Sequence, residues 1–133
     1  MKLVLQKEYW FACQQACIAM LAGVELKEVI DLVGPEILTL ERRDKCHAYF
    51  GLVKPATGKF VHVLGGNYGY NLSELMKEHD TWLCYVYDWV DDTYAHNVII
   101  HEGSLYDPRD GIDPEWPWSR FIRQADAYTL KTN

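Results

Sequence analysis

The stretch from Gln6 to Leu21, QKEYWFACQQACIAML, combines residue types that could carry out nucleophilic chemistry. A glutamine and three aromatic residues precede Cys13, which stands where an apolar helix is predicted to begin. Unpaired N–H groups and the positive end of the helix dipole at such a position favour the thiolate, the nucleophilic form of cysteine. Cys13 is therefore a candidate nucleophile, although a cysteine among apolar residues can also be a small hydrophobic core residue.

The other three cysteines fit that second interpretation. Cys17 lies one turn further into the apolar helix, and Cys84 is flanked by Leu83 and Tyr85. We expect Cys17, Cys46 and Cys84 to be inert core residues. The four cysteines lack the paired C-x-x-C spacing of structural zinc sites, and a cytoplasmic chain is expected to keep them reduced. We predict neither a metal nor another cofactor.

A cysteine nucleophile needs a base within hydrogen-bonding distance, and this base is usually a histidine. His47 and His79 lie in polar segments where we expect solvated side chains, and His62 has no evident partner. His96 begins the predicted strand H-N-V-I-I. His101 ends that strand, points to the opposite face and adjoins a turn, where solvation is expected. The place of His96 at the start of the strand favours it as the base.

Asp107 is the candidate partner of His96. A hairpin that turns at Glu102 and Gly103 would place positions near 98 and 107 opposite each other in an antiparallel pair. An imidazole–carboxylate contact between His96 and Asp107 is then geometrically plausible. The alternative is that Asp107 and Pro108 only form a turn after the strand.

Composition narrows the classes of function. The chain has 133 residues, of which 49% are hydrophobic, and this combination is typical of one globular domain with an ordinary core. The net charge of −6 and the scattered basic residues argue against a general binder of nucleic-acid phosphates. No segment approaches the ~20 apolar residues of a membrane span, and Met1–Gln6 lacks the features of a secretory signal. We expect one cytoplasmic domain over residues 1–133, with no nucleic-acid or membrane partner.

Hydrophobic periodicity predicts helices in the first part of the chain and strands in the second. The predicted helices are Phe11–Ala22, Leu26–Val33 and a short helix from a capping box at Asn71 and Glu74 to about His79. The segment Ile37–Leu52 is charged from Glu41 to Lys45 and has no clean period, and we predict a short helix near Leu40–Tyr49 within it. The predicted strands are Phe60–Leu64, Trp82–Trp89, Tyr94–His101 after a turn at Asp91-Asp92, Ser104–Tyr106 and Ala127–Lys131. This order indicates an α+β fold, with Trp82–Trp89 as a central strand because it is apolar on both faces.

Three motifs together resemble the papain-like cysteine peptidases of the double-glycine-leader type. That family includes the bacteriocin-processing domains of some ABC exporters and many small free-standing relatives. The motifs are the run Q…C-x-x-A-C-x-A-M-L, the later A-H-x-V-I-I, and L-Y-D-P. Their order is more specific than any one motif, and the resemblance covers nearly the whole chain. It implies a papain-like fold, in which an N-terminal helical half carries the nucleophile and a C-terminal antiparallel sheet carries the histidine and the aspartate.

The resemblance also implies a role for individual residues. Cys13 matches the nucleophile, His96 the base and Asp107 the residue that orients the base. Gln6 matches the glutamine whose side-chain amide, together with the backbone N–H of the cysteine, donates to the oxyanion.

The chain departs from the family pattern at two positions. Gln14 stands directly after Cys13, where the family usually has glycine, and Gln6 precedes Cys13 by seven positions instead of six. Gln14 or Gln15 could serve as a polar donor near the site, although Gln15 could equally be an exposed helix residue. Trp10 and its aromatic neighbours could form an apolar wall of a substrate cleft, or could pack in the core.

These observations predict a cysteine hydrolase that cleaves a peptide or isopeptide bond through a Cys-His-Asp triad and a thioester intermediate. Two alternatives stay open. The same triad could pass the acyl group to an amine, as in an acyltransferase or transglutaminase-like enzyme. The domain could also be catalytically inactive and bind a protein partner, which the departures at Gln6 and Gln14 would suit. We expect a monomer that acts on a peptide or protein substrate.

Overall fold

The computed structural model describes residues 1–60, 72–87, 95–113 and 121–130. Within these ranges the chain forms four helices and six strands. The helices are α1 (Cys13–Ala22), α2 (Leu26–Val33), α3 (Leu40–Phe50) and α4 (Leu72–Glu78). The strands are β1 (Val53–Phe60), β2 (Thr81–Tyr87), β3 (Ala95–His101), β4 (Ser104–Asp107), β5 (Gly111–Asp113) and β6 (Phe121–Thr129). The predicted α+β class is confirmed.

The first three helices follow their sequence patterns closely. In α1 every residue from Cys13 to Leu21 is buried, as the absence of a polar face predicts. The helix ends at Gly23, whose φ of 70° lies in the left-handed region that favours glycine. The amphipathic α2 instead buries only Val29 and Val33. Thr39 caps α3, because its hydroxyl accepts a hydrogen bond from the Arg42 backbone N–H.

The strands form one antiparallel sheet in the order β1-β6-β2-β3-β4-β5. The apolar strand β2 lies between β6 and β3, which confirms its predicted central position. Strands β3 and β4 form the predicted hairpin, with Ile99 opposite Tyr106 and His101 opposite Ser104. Continued to the strand ends, this register places position 98 opposite Asp107, as the turn at Glu102-Gly103 predicts.

Alternation along the strands builds two apolar clusters, one on each face of the sheet. On one face Leu83, Ile99 and Tyr128 pack with α1, α2 and α3. On the other face lie Trp82, Val98 and Leu105, together with Leu75 of α4. Helix α1 packs directly against β3. The start of α1 and the start of β3 therefore come together at one end of the molecule.

The strand at the β1 edge differs from the prediction. We predicted a strand over Phe60–Leu64, but β1 begins at Val53 and ends at Phe60. Pro55 and the polar residues around it hide this strand in the sequence, since proline is tolerated only on sheet edges, at strand starts or at bulges. The register between β1 and β6 shifts on both sides of Ala56, consistent with such a bulged edge.

Strand β6 begins at Phe121, six positions before the predicted start at Ala127. Its polar residues Gln124 and Asp126 weaken the apolar signal, yet β6 pairs with both β1 and β2. The three-residue strand β5 was not predicted, because Gly111–Asp113 is too short to show a period. Other predicted features fall on residues 61–64, 71, 88–94 and 131, outside the described ranges, and include His62, Asn71 and the Asp91-Asp92 turn.

No helix in the described ranges has both the length and the apolar character needed to cross a bilayer.

Candidate active site

Cys13 is the first residue of α1, where the sequence predicts it. Ala12 precedes the helix and supplies no side-chain cap, and the first turn contains no acidic residue. The positive end of the helix dipole at the thiol is therefore not offset by a carboxylate of this turn. The Cys13 side chain is buried, and its Sγ lies 3.7 Å from Asn97 Oδ1.

His96 and Asp107 form the predicted contact. His96 Nε2 lies 2.6 Å from Asp107 Oδ1, and both residues are buried, with 3% and 0% of their surface exposed. The same carboxylate oxygen accepts a hydrogen bond of 2.8 Å from the Arg109 backbone N–H. The turn after β4 thus helps to fix the carboxylate, and the carboxylate fixes the imidazole.

The pKa of His96 depends on its interactions with both Asp107 and Cys13. Burial by itself lowers the pKa of His96, because desolvation disfavours the charged ring. Hydrogen bonds to Asp107 and to Cys13 act in the opposite direction and raise the pKa to about 9. Since Asp107 holds Nε2, Nδ1 is the ring nitrogen that can serve Cys13. The ring is therefore held as a cation at neutral pH, between a carboxylate and a thiol.

The remaining cysteines are buried, as predicted. Burial raises the pKa of Cys17, and the neighbouring Cys13 and Asp107 raise it further. Burial also raises the pKa of Cys46 and of Cys84. A thiol that resists ionisation is a poor nucleophile at neutral pH. These three cysteines are therefore poor candidates for the nucleophile, whereas Cys13 lies beside the His96 imidazole.

Two histidines differ from the prediction that they are solvated. His101 is buried, and its Nδ1 lies 2.7 Å from Thr81 Oγ1. His47 is half-buried, with Nδ1 2.7 Å from the Arg43 carbonyl oxygen and Nε2 2.6 Å from the Tyr128 hydroxyl. Burial lowers the pKa of His47. The polar residues beside His47 in sequence suggested solvent, but tertiary contacts with β6 cover its ring.

Gln6 lies close to the site but its amide is occupied. Its Nε2 donates hydrogen bonds to the carbonyl oxygens of Tyr9 at 3.1 Å and Trp10 at 3.0 Å. Its backbone N–H donates to the Pro108 carbonyl oxygen at 2.8 Å, which ties this segment to the residue after Asp107. The buried Oε1 of Gln6 has no hydrogen-bond partner among the residues that the structure describes. Gln6 is thus positioned beside the triad, with both amide hydrogens directed at carbonyl groups.

The other two glutamines have different surroundings. Gln14 is buried, and its Nε2 lies 3.5 Å from the Tyr85 hydroxyl. Gln15 is fully buried, which corrects the alternative of an exposed helix residue. Its Nε2 donates to the carbonyl oxygens of Gly34 and Glu36, so it holds the connection after α2. Of the two, Gln14 is the one directed towards the sheet end that carries the candidate triad.

The aromatic residues before Cys13 lie at the surface. Trp10 is 76% exposed and Phe11 is 50% exposed, although residues of this type usually bury most of their area. Their exposure beside a buried thiol matches the predicted apolar wall more closely than the core alternative.

Asn97 is a site residue that the sequence did not indicate. Its Oδ1 faces the Cys13 thiol, and its Nδ2 donates to the Cys84 carbonyl oxygen at 3.4 Å. Alternation on β3 sends Asn97 to the α1 face, opposite to Val98. The signal was present as a polar residue within an apolar strand, but its partner lies 84 positions away along the chain.

No group of three or more histidine, cysteine, aspartate or glutamate side chains in the described ranges has the geometry of a metal site. Comparisons with known protein families, with curated proteins and with solved structures found no match to this chain.

Proposed function

We propose that this protein is a papain-like cysteine hydrolase that cleaves a peptide or isopeptide bond. The observation that carries the proposal is that His96 interacts both with Cys13 and with the buried Asp107. Nucleophile, base and orienting carboxylate come from three different elements, α1, β3 and β4. Such an arrangement of thiol, imidazole and carboxylate is the one that nucleophilic acyl chemistry requires.

The reaction can be written with these groups. The Cys13 sulfur attacks the substrate carbonyl carbon, and His96 holds the proton that the thiol gives up. The tetrahedral oxyanion collapses, the amine leaves with the proton from His96, and a thioester remains on Cys13. Water then attacks the thioester while His96 accepts one of its protons. The carboxylic acid leaves, and the proton returns to Cys13.

The oxyanion would be stabilised by N–H donors at the start of α1. The backbone N–H of Cys13 is the first donor, and the resemblance to double-glycine-leader peptidases assigns the second to Gln6. For this role Gln6 must release its hydrogen bond to Tyr9 or to Trp10 when a substrate binds. Gln6 Oε1 is buried and has no partner within the described part of the chain, and this supports such a rearrangement, since an unpaired buried carbonyl is costly.

The layer arrangement supports the papain-like fold in this proposal. Helix α1 carries Cys13 and packs on an antiparallel sheet that carries His96 and Asp107 on adjacent strands. The exposed Trp10 and Phe11 offer an apolar surface for a substrate chain beside the thiol.

A second candidate function is a catalytically inactive domain that binds a protein partner. The observation that favours it is the occupied amide of Gln6, because an unchanged Gln6 cannot donate to an oxyanion. In that case the exposed aromatic residues would serve binding alone. The two candidates differ in whether Cys13 can form a bond to an electrophilic carbonyl carbon.

A peptide acyloxymethyl ketone, which presents a carbonyl to the nucleophile, tests the proposal directly. We expect it to label Cys13 in the native protein, and to lose this labelling after heat denaturation or in His96→Ala. Cys17→Ala is the matched control and should keep the label. A native protein in which iodoacetamide modifies Cys13 but the ketone does not would support the binding domain instead.

The same probe tests the role of Gln6. Gln6→Ala should label about 100-fold more slowly, because a lost oxyanion donor costs ~10²–10³ in rate. Gln15→Ala is the matched control, since it also removes a buried amide that donates to two carbonyl groups. Equal rates in the two variants would assign Gln6 a purely structural role.

A further inference from the structure

A polar cluster of three side chains lies beside the candidate nucleophile, and we name it the Arg43 cluster: Gln14, Arg43 and Tyr85. The Tyr85 hydroxyl oxygen accepts hydrogen bonds from Arg43 Nη1 at 3.3 Å and from Gln14 Nε2 at 3.5 Å. Gln14 lies in α1, Arg43 in α3 and Tyr85 in β2. The mechanism proposed above uses none of them.

The cluster adjoins Cys13 along two routes. Gln14 follows Cys13 in the chain, so their Cα atoms are about 3.8 Å apart. Tyr85 is the direct cross-strand partner of Asn97, whose Oδ1 lies 3.7 Å from Cys13 Sγ. Side chains of such a pair point to the same face of the sheet. A substrate bound at Cys13 would therefore lie next to the pair of Asn97 and Tyr85, and Arg43 is hydrogen-bonded to Tyr85.

Arg43 carries a charge without a carboxylate partner in the described ranges. The ion pairs found there involve Lys27, His96, His101 and Arg109. Arg43 is half-buried, and its Nε is buried with no hydrogen-bond partner among the described residues. A buried cationic N–H that is left unpaired is costly, and the planar guanidinium is shaped to bind a carboxylate with two hydrogen bonds.

The two other members of the cluster add neutral donors. The Tyr85 oxygen accepts from both neighbours, which leaves its own hydrogen available to donate. Burial raises the pKa of Tyr85, so the hydroxyl keeps that hydrogen at neutral pH. The Gln14 amide supplies a further N–H group. The buried carboxylate of Asp126 in β6 also acts on Tyr85 and raises its pKa further, but none of the ion pairs found in the described ranges joins it to Arg43. The guanidinium charge and the three donors of the cluster therefore remain available to an anion.

We propose that the Arg43 cluster is a substrate-binding subsite that recognises a carboxylate, supplied by an acidic side chain or by the C-terminus of the substrate. This inference rests on Cys13 as the reacting residue. It explains why glutamine follows the cysteine, since glycine at position 14 could not donate to Tyr85 or to the carboxylate.

The test uses two alkylating reagents that differ in one charge. N-iodoacetyl-β-alanine carries a carboxylate, and its primary amide has the same shape without the charge. The ratio of their second-order rates at Cys13 is measured in the wild type at low salt. We expect this ratio to fall about fivefold in Arg43→Gln, a change typical of one partly screened charge pair.

Two variants control the measurement. Arg42→Gln removes the same charge from the neighbouring exposed position of α3 and should leave the ratio unchanged. Arg43→Lys keeps the charge but loses the planar guanidinium. Its ratio of reagent rates should lie between those of the wild type and Arg43→Gln. The rate with the neutral reagent reports whether each variant is folded and its thiol reactive.

Peptide protection separates the two sources of the carboxylate. Acetyl-Ala-Glu-Ala-amide, acetyl-Ala-Gln-Ala with a free C-terminus, and acetyl-Ala-Gln-Ala-amide are compared as inhibitors of Cys13 alkylation by iodoacetamide. Protection by the first indicates an acidic side chain, and protection by the second indicates a terminal carboxylate. Equal protection by all three contradicts the subsite.

The outcomes also separate this inference from the proposed function. Fast labelling of Cys13 with the same reagent ratio in the wild type, Arg43→Gln and Arg42→Gln would overturn the subsite and leave the nucleophile intact. A native Cys13 that reacts with neither reagent would overturn the proposed function, and the subsite with it.

Discussion

The two ends of β3 each bury a histidine, and their surroundings are of different kinds. At the start of the strand His96 lies 2.6 Å from a fully buried carboxylate and is hydrogen-bonded to the Cys13 thiol. At the other end His101 Nδ1 lies 2.7 Å from the Thr81 hydroxyl oxygen, and His101 Nε2 lies 3.7 Å from the exposed carboxylate of Glu102. The two rings point to opposite faces of the sheet.

The comparison teaches that burial does not by itself mark a catalytic histidine. Burial alone lowers the pKa of such a ring, since it disfavours the charged form. Only a partner that stabilises the cation can reverse that effect, and at His96 the carboxylate and the thiol do so. At His101 the buried partner is a hydroxyl group, and the carboxylate of Glu102 is exposed to solvent. The first arrangement suits proton transfer, and the second suits packing.

The largest effect is expected when each histidine is removed in turn. His96→Ala should slow alkylation of Cys13 below neutral pH about 100-fold or more, because a positioned base contributes ~10²–10⁴ in rate. His101→Ala should leave the alkylation profile unchanged. The pH dependence of iodoacetamide labelling at Cys13 measures both. Loss of low-pH reactivity in His101→Ala, with His96→Ala unaffected, would exchange the roles assigned to the two ends of β3.

A smaller effect is expected at the carboxylate that distinguishes the two histidines. Asp107→Ala should lower the rate of Cys13 labelling about 10- to 100-fold, since a hydrogen bond to a charged group contributes ~1.5–3 kcal/mol. Asp107→Asn keeps an oxygen that can accept from His96 and from the Arg109 N–H, so we expect a loss of only about threefold. Circular dichroism checks that both variants are folded. Unchanged activity in Asp107→Ala would require another residue in the third triad position.

A separate effect concerns the free energy of unfolding and its dependence on pH. The pKa of His96 rises from about 6.5 in an unfolded chain to about 9 in the fold. The folded state therefore binds more protons than the unfolded state between these values, and the free energy of unfolding decreases as pH rises. The contribution is fully present below about pH 6.5, and about 2–3 kcal/mol of it should be lost by pH 9.

Urea unfolding at pH 6.5 and pH 9 measures this contribution. His96→Gln should show a much smaller decrease in stability over that interval than the wild type. His101→Gln is the matched control and should decrease as the wild type does, because the other titrating groups are unchanged. If all three proteins lost the same stability, the charged state of His96 would contribute nothing to the fold.

Local sequence patterns predicted much of the fold. The boundaries of α1 and α2 follow from apolar spacing and from Gly23 and Gly34. Helix α3 lacks a clean apolar period, yet its predicted range differs from the observed one by a single residue at the C-terminal end. The hairpin of β3 and β4 was predictable because a short turn fixes its register, and that register suggested the contact of His96 with Asp107. Strands β1 and β6 were predicted poorly, since Pro55 and the polar residues of β6 obscure the period that pairing with neighbours imposes.

The sequence by itself determined which residue types stand at the start of α1, at the start of β3 and at the end of β4. It did so because helix starts and tight hairpins are decided by residues close together in the chain. Only the tertiary structure decided that α1 packs on β3, which brings Cys13 to His96 and Asn97 across more than 80 positions. The same packing buries Gln15 and His101, and it sets Arg43 beside Tyr85. Contacts of this kind depend on how separate elements share one core, which no local pattern encodes.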